Sequence, residues 1–367
     1  MLVSDLDTPA IVIDVDIMER NLRRTQEYAT SQGLRLRPHT KTHKIPALGR
    51  RQIDLGAIGL TVAKTTEAEV MLAAGPEDLL IAYPVIGRAK MERLAALTRK
   101  TRVTVALDSI EGVRRMGAAA AELGFEVGVL AEFDAGLHRV GVSPDRALLD
   151  LVRAIVSEPG LRFAGITFYP GHIKDMATGV AELGALDELV SAAVAELERA
   201  GFEVPVVSGG STPTLFESHR VKRLTEIRPG TYIFNDRNTW LLGGCGPEDC
   251  AASILTTVVS TSVPGQMIID GGSKTFSSDR SAAEPNAAAE PGFGYLSEAP
   301  GAVFEKMNEE HGFVDIRKAQ GSWKVGDRVR VMPNHICVAM NLHEQVYGIQ
   351  GEEVLEVWKV EGRGKLQ

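Results

Sequence analysis

RVTVALD (102–108), EGVRRMGAAAAELG (111–124), FEVGVLAEFD (125–134), PDRALLDLVRAIVSEPG (144–160) and LRFAGITFYP (161–170) follow one another with little between them. The first, third and fifth are short and rich in Val, Leu, Ile and Phe. The second and fourth carry apolar residues at helical spacing and close on Gly, as a helix C-terminus does. A run of strand, helix, strand, helix, strand implies parallel crossover units. The same alternation extends outward to LRLRPHTK (34–41), AIGLTVA (57–63), DLLIAYP (78–84), VPVVSG (204–209) and LTEIRPG (224–230). Eight candidate strands predict an α/β fold, a (β/α)8 TIM-type barrel over residues 15–245. A doubly wound open sheet is the rival, but no GxGxxG opens the first helix.

The pattern changes near residue 245. ASILTTVVSTSVPGQMIIDGG, DRVRVMPNHICVAM, EQVYGIQ and EEVLEVWKV read as strands with Gly/Pro turns and almost no helical period. A mostly β domain over 246–367 is expected, with residues 1–14, which end in TPAIVID (8–14), a candidate extra strand of it. The segment 277–294, small and polar with Pro and Gly, reads as a long loop.

Composition narrows the function classes. The 367 residues are 44% hydrophobic and 24% charged, with 40 Lys+Arg against 48 Asp+Glu and a net charge of -8. That balance is poor for gripping a phosphate backbone, so nucleic acid is not an expected partner. No apolar run reaches membrane-spanning length, and no basic region precedes an apolar stretch at the N-terminus. Three cysteines, an odd and sparse set, argue for a reducing compartment. A cytoplasmic enzyme is the expectation.

Five clusters could carry chemistry. RPHTKTHK (37–44) ends the first barrel strand, where barrel active sites lie. In an extended strand His39, Lys41 and His43 share one face and Thr40, Thr42 and Lys44 the other. A lysine there is positioned to form a Schiff base; alone, the motif reads equally as a solvated basic turn. SGGST (208–212) follows the seventh strand, and Gly230, Thr231 and Tyr232 follow the eighth. Gly-rich backbone at those two places suits a phosphate, and lysine plus phosphate cradle on one barrel face is what pyridoxal 5′-phosphate requires. In AEFDAGLHRVGV (131–142) Arg139 could hold a phenolate oxygen, or pair with Asp134 or Glu132. In FYPGH (168–172) Tyr169 suits a planar ligand and His172 acid–base work. In PNHICVAMNLHE (333–344) His335 and Cys337, two apart on an expected strand, offer imidazole and thiolate to zinc with positions left for water and substrate. By spacing alone the preferred reading is a His and a small buried Cys in a core strand.

RPHTKTHK, FDAGLHRVGV, FYPGH, SGGST, RPGTYIFND and PNHICVAMNLH together resemble the D-threonine aldolase and D-serine dehydratase family, over almost the whole chain. The resemblance implies an alanine-racemase-like, fold type III pyridoxal-phosphate enzyme, usually a head-to-tail homodimer. It implies that Lys41, not Lys44, carries the cofactor, that Arg139 meets its phenolic oxygen and that Tyr169 lies near its ring. Ser208, Gly209, Gly210, Gly230 and Tyr232 would surround its phosphate. His335 and Cys337 would bind a divalent metal, zinc favoured by the thiolate, with manganese or magnesium as alternatives. D-threonine aldolases carry His-x-Asp at that pair, and His-x-Cys looks more like the zinc-dependent dehydratases. NLH and RPGTYIFNDRN look more like the aldolase branch. The expected activity is a lyase on β-hydroxy D-amino acids, with retro-aldol cleavage to glycine and an aldehyde ranked first. Elimination to a 2-oxo acid and ammonia is the alternative. A racemase, which would need a second acid/base and no metal, and a non-enzymatic cofactor carrier, which resembles only the barrel, stand further off. His172 is the candidate base.

Overall fold

A computed structural model describes residues 1–281 and 292–367; residues 282–291 of the expected 277–294 loop lie outside the described residues. The chain forms two compact units. One comprises Met1–Leu22, Thr42–Lys44 and Thr231–Arg363, the other Arg23–Lys41, Ile45–Gly230 and Gly364–Gln367.

In chain order, β1 (Ala10–Asp14) and α1 (Val15–Ser31) come first. Alternation then begins: β2 (Arg35–Leu36), α2 (Pro46–Asp54), β3 (Leu60–Val62), α3 (Thr65–Met71), β4 (Asp78–Ile81), α4 (Arg88–Thr98), β5 (Arg102–Leu107). It continues with α5 (Ile110–Leu123), β6 (Val127–Glu132), α6 (Arg146–Ser157), β7 (Leu161–Thr167), α7 (Met176–Arg199), β8 (Val207–Gly209) and β9 (Glu226–Ile227). Each of the eight expected strands contains one of these, β2 to β9. They lie in the order β2-β9-β8-β7-β6-β5-β4-β3, every neighbouring pair parallel. A parallel bridge between His39 and Thr61 closes the ring. There Thr40 N–H donates to the Thr61 carbonyl and Thr61 N–H to that of Pro38, each at 2.8 Å. The sheet therefore has no free edge, and the barrel expectation holds.

Local chemistry explains the elements. β6 is buried at every residue, as strands covered on both faces are. Ser109 caps α5 by accepting from Gly112 N–H, and Gly124 ends it at φ 66. α6 buries Leu148, Leu151, Val152 and Ile155, one face of a helix. Each such side chain contributes roughly 1.5–3 kcal/mol. At Gly165 (φ 135) a Cβ would lie 2.0 Å from the Val206 carbonyl oxygen, so β7 needs glycine where its register with β6 slips.

Part of the barrel core is polar. Arg37 reaches Glu226 at 3.2 Å and Asp78 at 2.5 Å, and Arg102 reaches Asp78 at 2.6 Å. Ser208 Oγ donates to Glu226 at 2.6 Å and accepts from Arg228 at 2.6 Å. Arg228 also donates to the Thr167 hydroxyl and the Phe168 carbonyl. Arg37, Glu226 and Arg228 are all buried, so their charges must be satisfied by one another.

Among the described residues the other unit forms a nine-stranded sheet. β10 (Ala252–Ser260) and β11 (Gln266–Ile269) are followed by β12 (Gly294–Leu296), β13 (Val303–Met307) and β14 (Gly312–Asp315). β15 (Arg328–Pro333), β16 (Gln345–Gln350) and β17 (Glu353–Lys359) complete it. Its main path is β13-β14-β11-β10-β1-β16-β17, with β15 pairing both β10 and β12. β1 runs antiparallel to β10 and parallel to β16. Among the described residues three short helices interrupt it: α8 (Arg237–Leu241), α9 (Ser273–Phe276) and α10 (Ile336–Leu342). The compact division falls after Gly230, ahead of the composition change near 245. The stretch between, with Asp236 at its centre, is bonded to His335 and Ile336.

α10 corrects the strand expected for PNHICVAM. Ile336, Ala339 and Met340 are its buried face, a helical i, i+3, i+4 set.

Candidate active site

The barrel residues come first. RPHTKTHK is extended only as far as His39, and residues 40–43 form a turn. The expected alternation of faces is therefore corrected. Thr40, Thr42 and His43 are fully buried, His39 is half-buried and Lys41 is exposed. The Lys41 backbone N–H lies 3.4 Å from His39 Nδ1. Lys44, at φ 57, is buried, with its ammonium on the Gly362 carbonyl. Of the two lysines, Lys41 is the one with an exposed side chain.

Arg139 lies over the Tyr169 ring, 4.7 Å from its centroid. Among the described residues it forms no salt bridge with Asp134 or Glu132, so that alternative is not realised. Asp134 is occupied by its own turn, accepting from the N–H groups of Gly136 and His138 and from the His138 ring. Burial raises its pKa, but those bonds outweigh burial and hold it below the usual carboxylate range. His172 packs against the same turn: a Cβ on Gly136 would lie 3.0 Å from its ring. Arg139, Tyr169 and His172 thus gather at one group of loops. Sequence reading gave Glu132, at the end of β6, only a possible ion pair. It is buried, and burial raises its pKa against the pull of Arg228. Burial in turn pushes the Arg228 guanidinium down, while Glu226 and Glu132 oppose the shift.

The expected phosphate cradle needs one correction. The Ser208 hydroxyl is committed to Glu226 and Arg228, and its side chain is fully buried. What remains for an anion is backbone. Among the described residues, no acceptor is found for the N–H groups of Gly210, Ser211 and Thr212. Gly210 sits at φ 84, and a side chain on Gly209 would strike the Phe168 ring at 2.5 Å. Such consecutive donors suit a phosphate. Gly230 ends the barrel unit, whereas Tyr232 is buried in the β unit, in a short turn at Thr231–Ile233. An exposed lysine, a guanidinium on a tyrosine and unpaired amides fit pyridoxal phosphate.

In the β unit, His335 precedes α10 in an extended conformation and Cys337 lies in its first turn. Asp236 Oδ2 holds His335 Nδ1 at 2.8 Å. Cys337 Sγ lies 3.3 Å from the Thr42 hydroxyl. The charge of Cys337 is the chief influence on His335; with Asp236 it overcomes burial and pushes the pKa up to about 11. Two anionic groups around one imidazole favour a cation, and the donor set fits a divalent metal. Among the described residues no cluster of three or more His, Cys, Asp or Glu converges. Two such donors are enough for an open metal site and too few for a closed structural one. Cys245 and Cys250 hydrogen-bond each other, and that bond raises the Cys250 pKa.

Residues 13–238 match the family model for the alanine racemase N-terminal domain, and residues 251–349 that for a putative serine dehydratase domain. A 3-hydroxy-D-aspartate aldolase of Paracoccus denitrificans is 31% identical, over 99% of this chain and 93% of its own. A D-threo-3-hydroxyaspartate dehydratase of Delftia is 33% identical, over 96% and 97%. The crystal structure of D-threonine aldolase from Filomicrobium marinum superposes with a TM-score of 0.90 at 31% identity, covering 99% of this chain and 97% of that one. The chain belongs to the D-threonine aldolase and D-serine dehydratase family. It is accordingly a pyridoxal-phosphate-dependent lyase. The family also contains a metal: a cysteine-to-alanine variant of a D-threo-3-hydroxyaspartate dehydratase was solved in a metal-free form. No helix among the described residues is long and apolar enough to cross a membrane.

Proposed function

We propose that the protein cleaves β-hydroxy D-amino acids between Cα and Cβ, giving glycine and an aldehyde. The observation that carries this is His172, which packs on the loop that also presents Arg139. A retro-aldol step needs a base for the β-hydroxyl proton, and an imidazole suits that task near neutral pH. The aldolase names of full-length relatives support it.

Pyridoxal phosphate, when bound, supplies an electron sink for charge at Cα. Lys41 would hold it, Arg139 and Tyr169 would orient its ring, and the amides of Gly210 to Thr212 would take its phosphate. His335 and Cys337 would hold a divalent cation, zinc by thiolate preference, whose Lewis acidity acts on a hydroxyl oxygen. His172 accepts the hydroxyl proton. The protein is further read as a cytoplasmic homodimer taking a small D-amino acid, the compartment supported by its sparse, odd set of thiols.

One observation favours a second reading, elimination to a 2-oxo acid and ammonia. Structures of D-threo-3-hydroxyaspartate dehydratase include histidine and cysteine variants two positions apart, the spacing of His335 and Cys337. In that reading Lys41 removes the Cα proton and His172 is dispensable.

The test is a product assay with D-threonine, D-serine and 3-hydroxy-D-aspartate, with and without a chelator, read by mass spectrometry. Glycine plus aldehyde, lost on chelation and in His172→Ala, is the expected result. A 2-oxo acid with ammonia, unaffected by His172→Ala, replaces it with the elimination reading.

A further inference from the structure

We infer that Asp236 is the positioning residue of the metal pair: it fixes the tautomer and direction of His335 so that Nε2 is the nitrogen presented to the ion. This rests on the metal reading of His335 and Cys337. Asp236 is buried, with 1% of its surface exposed. Its Oδ2 meets His335 Nδ1 at 2.8 Å and accepts from Ile336 N–H at 3.2 Å. Its Oδ1 accepts from the backbone N–H of Thr239 at 2.9 Å and from the Thr239 hydroxyl at 2.8 Å. One carboxylate thus caps α8 with one oxygen and grips the entry to α10 with the other.

An ionised carboxylate only accepts hydrogen bonds, so the hydrogen at this contact sits on Nδ1. Nε2 is then the ring nitrogen that gives up its proton and offers its lone pair when an ion binds. A carboxylate behind a metal-bound histidine also raises its basicity, and losing such a partner typically costs about 10–100-fold in metal affinity. Asp236 separates the two effects because asparagine is nearly the same size and also caps helices well. The amide carbonyl of Asp236→Asn can keep the α8 cap. Its NH2 group then faces His335 and donates to Nδ1, which drives the ring hydrogen onto Nε2, where the metal should be.

The experiment measures zinc affinity of the full-length, pyridoxal-phosphate-loaded protein by competition with a chromophoric chelator. Cobalt substitution reports the ligand field through its thiolate charge-transfer band. Asp236→Asn should weaken zinc about 10–100-fold and alter the cobalt spectrum, while Thr239→Ala, which touches only Oδ1, stays within about twofold. Nitrogen NMR of the zinc-loaded parent protein should show hydrogen on Nδ1 of His335 and metal on Nε2, a result independent of whether any variant folds. Parental zinc affinity in Asp236→Asn, or metal on Nδ1, would overturn the inference. Parallel His335→Ala and Cys337→Ala variants distinguish the underlying reading. If they too retain zinc, the metal is elsewhere; if they lose it and Asp236→Asn does not, only the role of Asp236 fails.

Discussion

Ser208→Ala should damage the barrel and spare the cofactor. The Ser208 hydroxyl is fully buried. It donates to the Glu226 carboxylate and accepts from Arg228, both at 2.6 Å. Hydrogen bonds to charged groups contribute about 1.5–3 kcal/mol each, which sets a ceiling near 3–6 kcal/mol for the pair. Glu226 keeps its contacts with Arg37, and Arg228 keeps Thr167 and the Phe168 carbonyl. No charge is left without a partner, so the loss should fall below that ceiling, at about 2–4 kcal/mol. For a unit of this size that lowers the melting midpoint by roughly 5–15 °C. The assay is thermal and urea unfolding by circular dichroism, beside pyridoxal-phosphate affinity by absorbance titration. If the hydroxyl instead faced the phosphate, its removal would weaken the cofactor by roughly tenfold or more and leave the unfolding midpoint in place. That second pattern would refute the placement of Ser208 in the core network.

Lys41→Ala should abolish the yellow absorbance of the cofactor-loaded protein, whereas Lys44→Ala, whose amine rests on the Gly362 carbonyl, should retain it. Gly165→Ala, with its Cβ 2.0 Å from a backbone oxygen, should destabilise the barrel by roughly 2–6 kcal/mol in urea unfolding. Zinc must displace the proton that His335 holds up to about 11, so zinc affinity should rise about tenfold per pH unit between about pH 6 and about pH 8, read by chelator competition. The sign for stability is opposite. A raised histidine pKa stabilises the metal-free fold fully below its ordinary value of about 6.5, and that contribution disappears as pH rises through about 11.

The barrel was legible because its information is local and repeated. Each strand is a short apolar run, and each helix carries its own buried face and stop. The RPHTKTHK turn was legible only as an alternative to an extended strand. Residues 40–43 contain no Gly, Pro or Asn to announce a turn, and Lys44 takes φ 57 without being glycine. The bend is imposed by contacts remote in sequence, such as that between Lys44 and Gly362. Ser208 misled for a related reason. A serine beside two glycines after a strand matches a phosphate loop, but Glu226 and Arg228 claim its hydroxyl from the next strand. The spacing of a motif does not show which side of the strand its hydroxyl faces.

His335 and Cys337, the pair proposed for a metal, show how donor chemistry and backbone conformation can be read separately. A spacing of two puts His and Cys on one face of a strand, and that geometry was expected. The pair instead spans a helix start, with His335 extended at φ -138 and Cys337 helical. The sequence signal for a helix was present in the period of Ile336, Ala339 and Met340, but an apolar run this short fits either structure. Imidazole and thiolate favour the same metals in both cases, since softness belongs to the donor atoms rather than the backbone. What differs is the source of orientation. On a strand the pleat would aim both ligands; at a helix start something must hold the histidine from behind. That group is Asp236, ninety-nine residues away in sequence. It caps α8 by accepting from Thr239 N–H. Nothing local announces its second bond, to His335, because that bond exists only once the two segments are folded together.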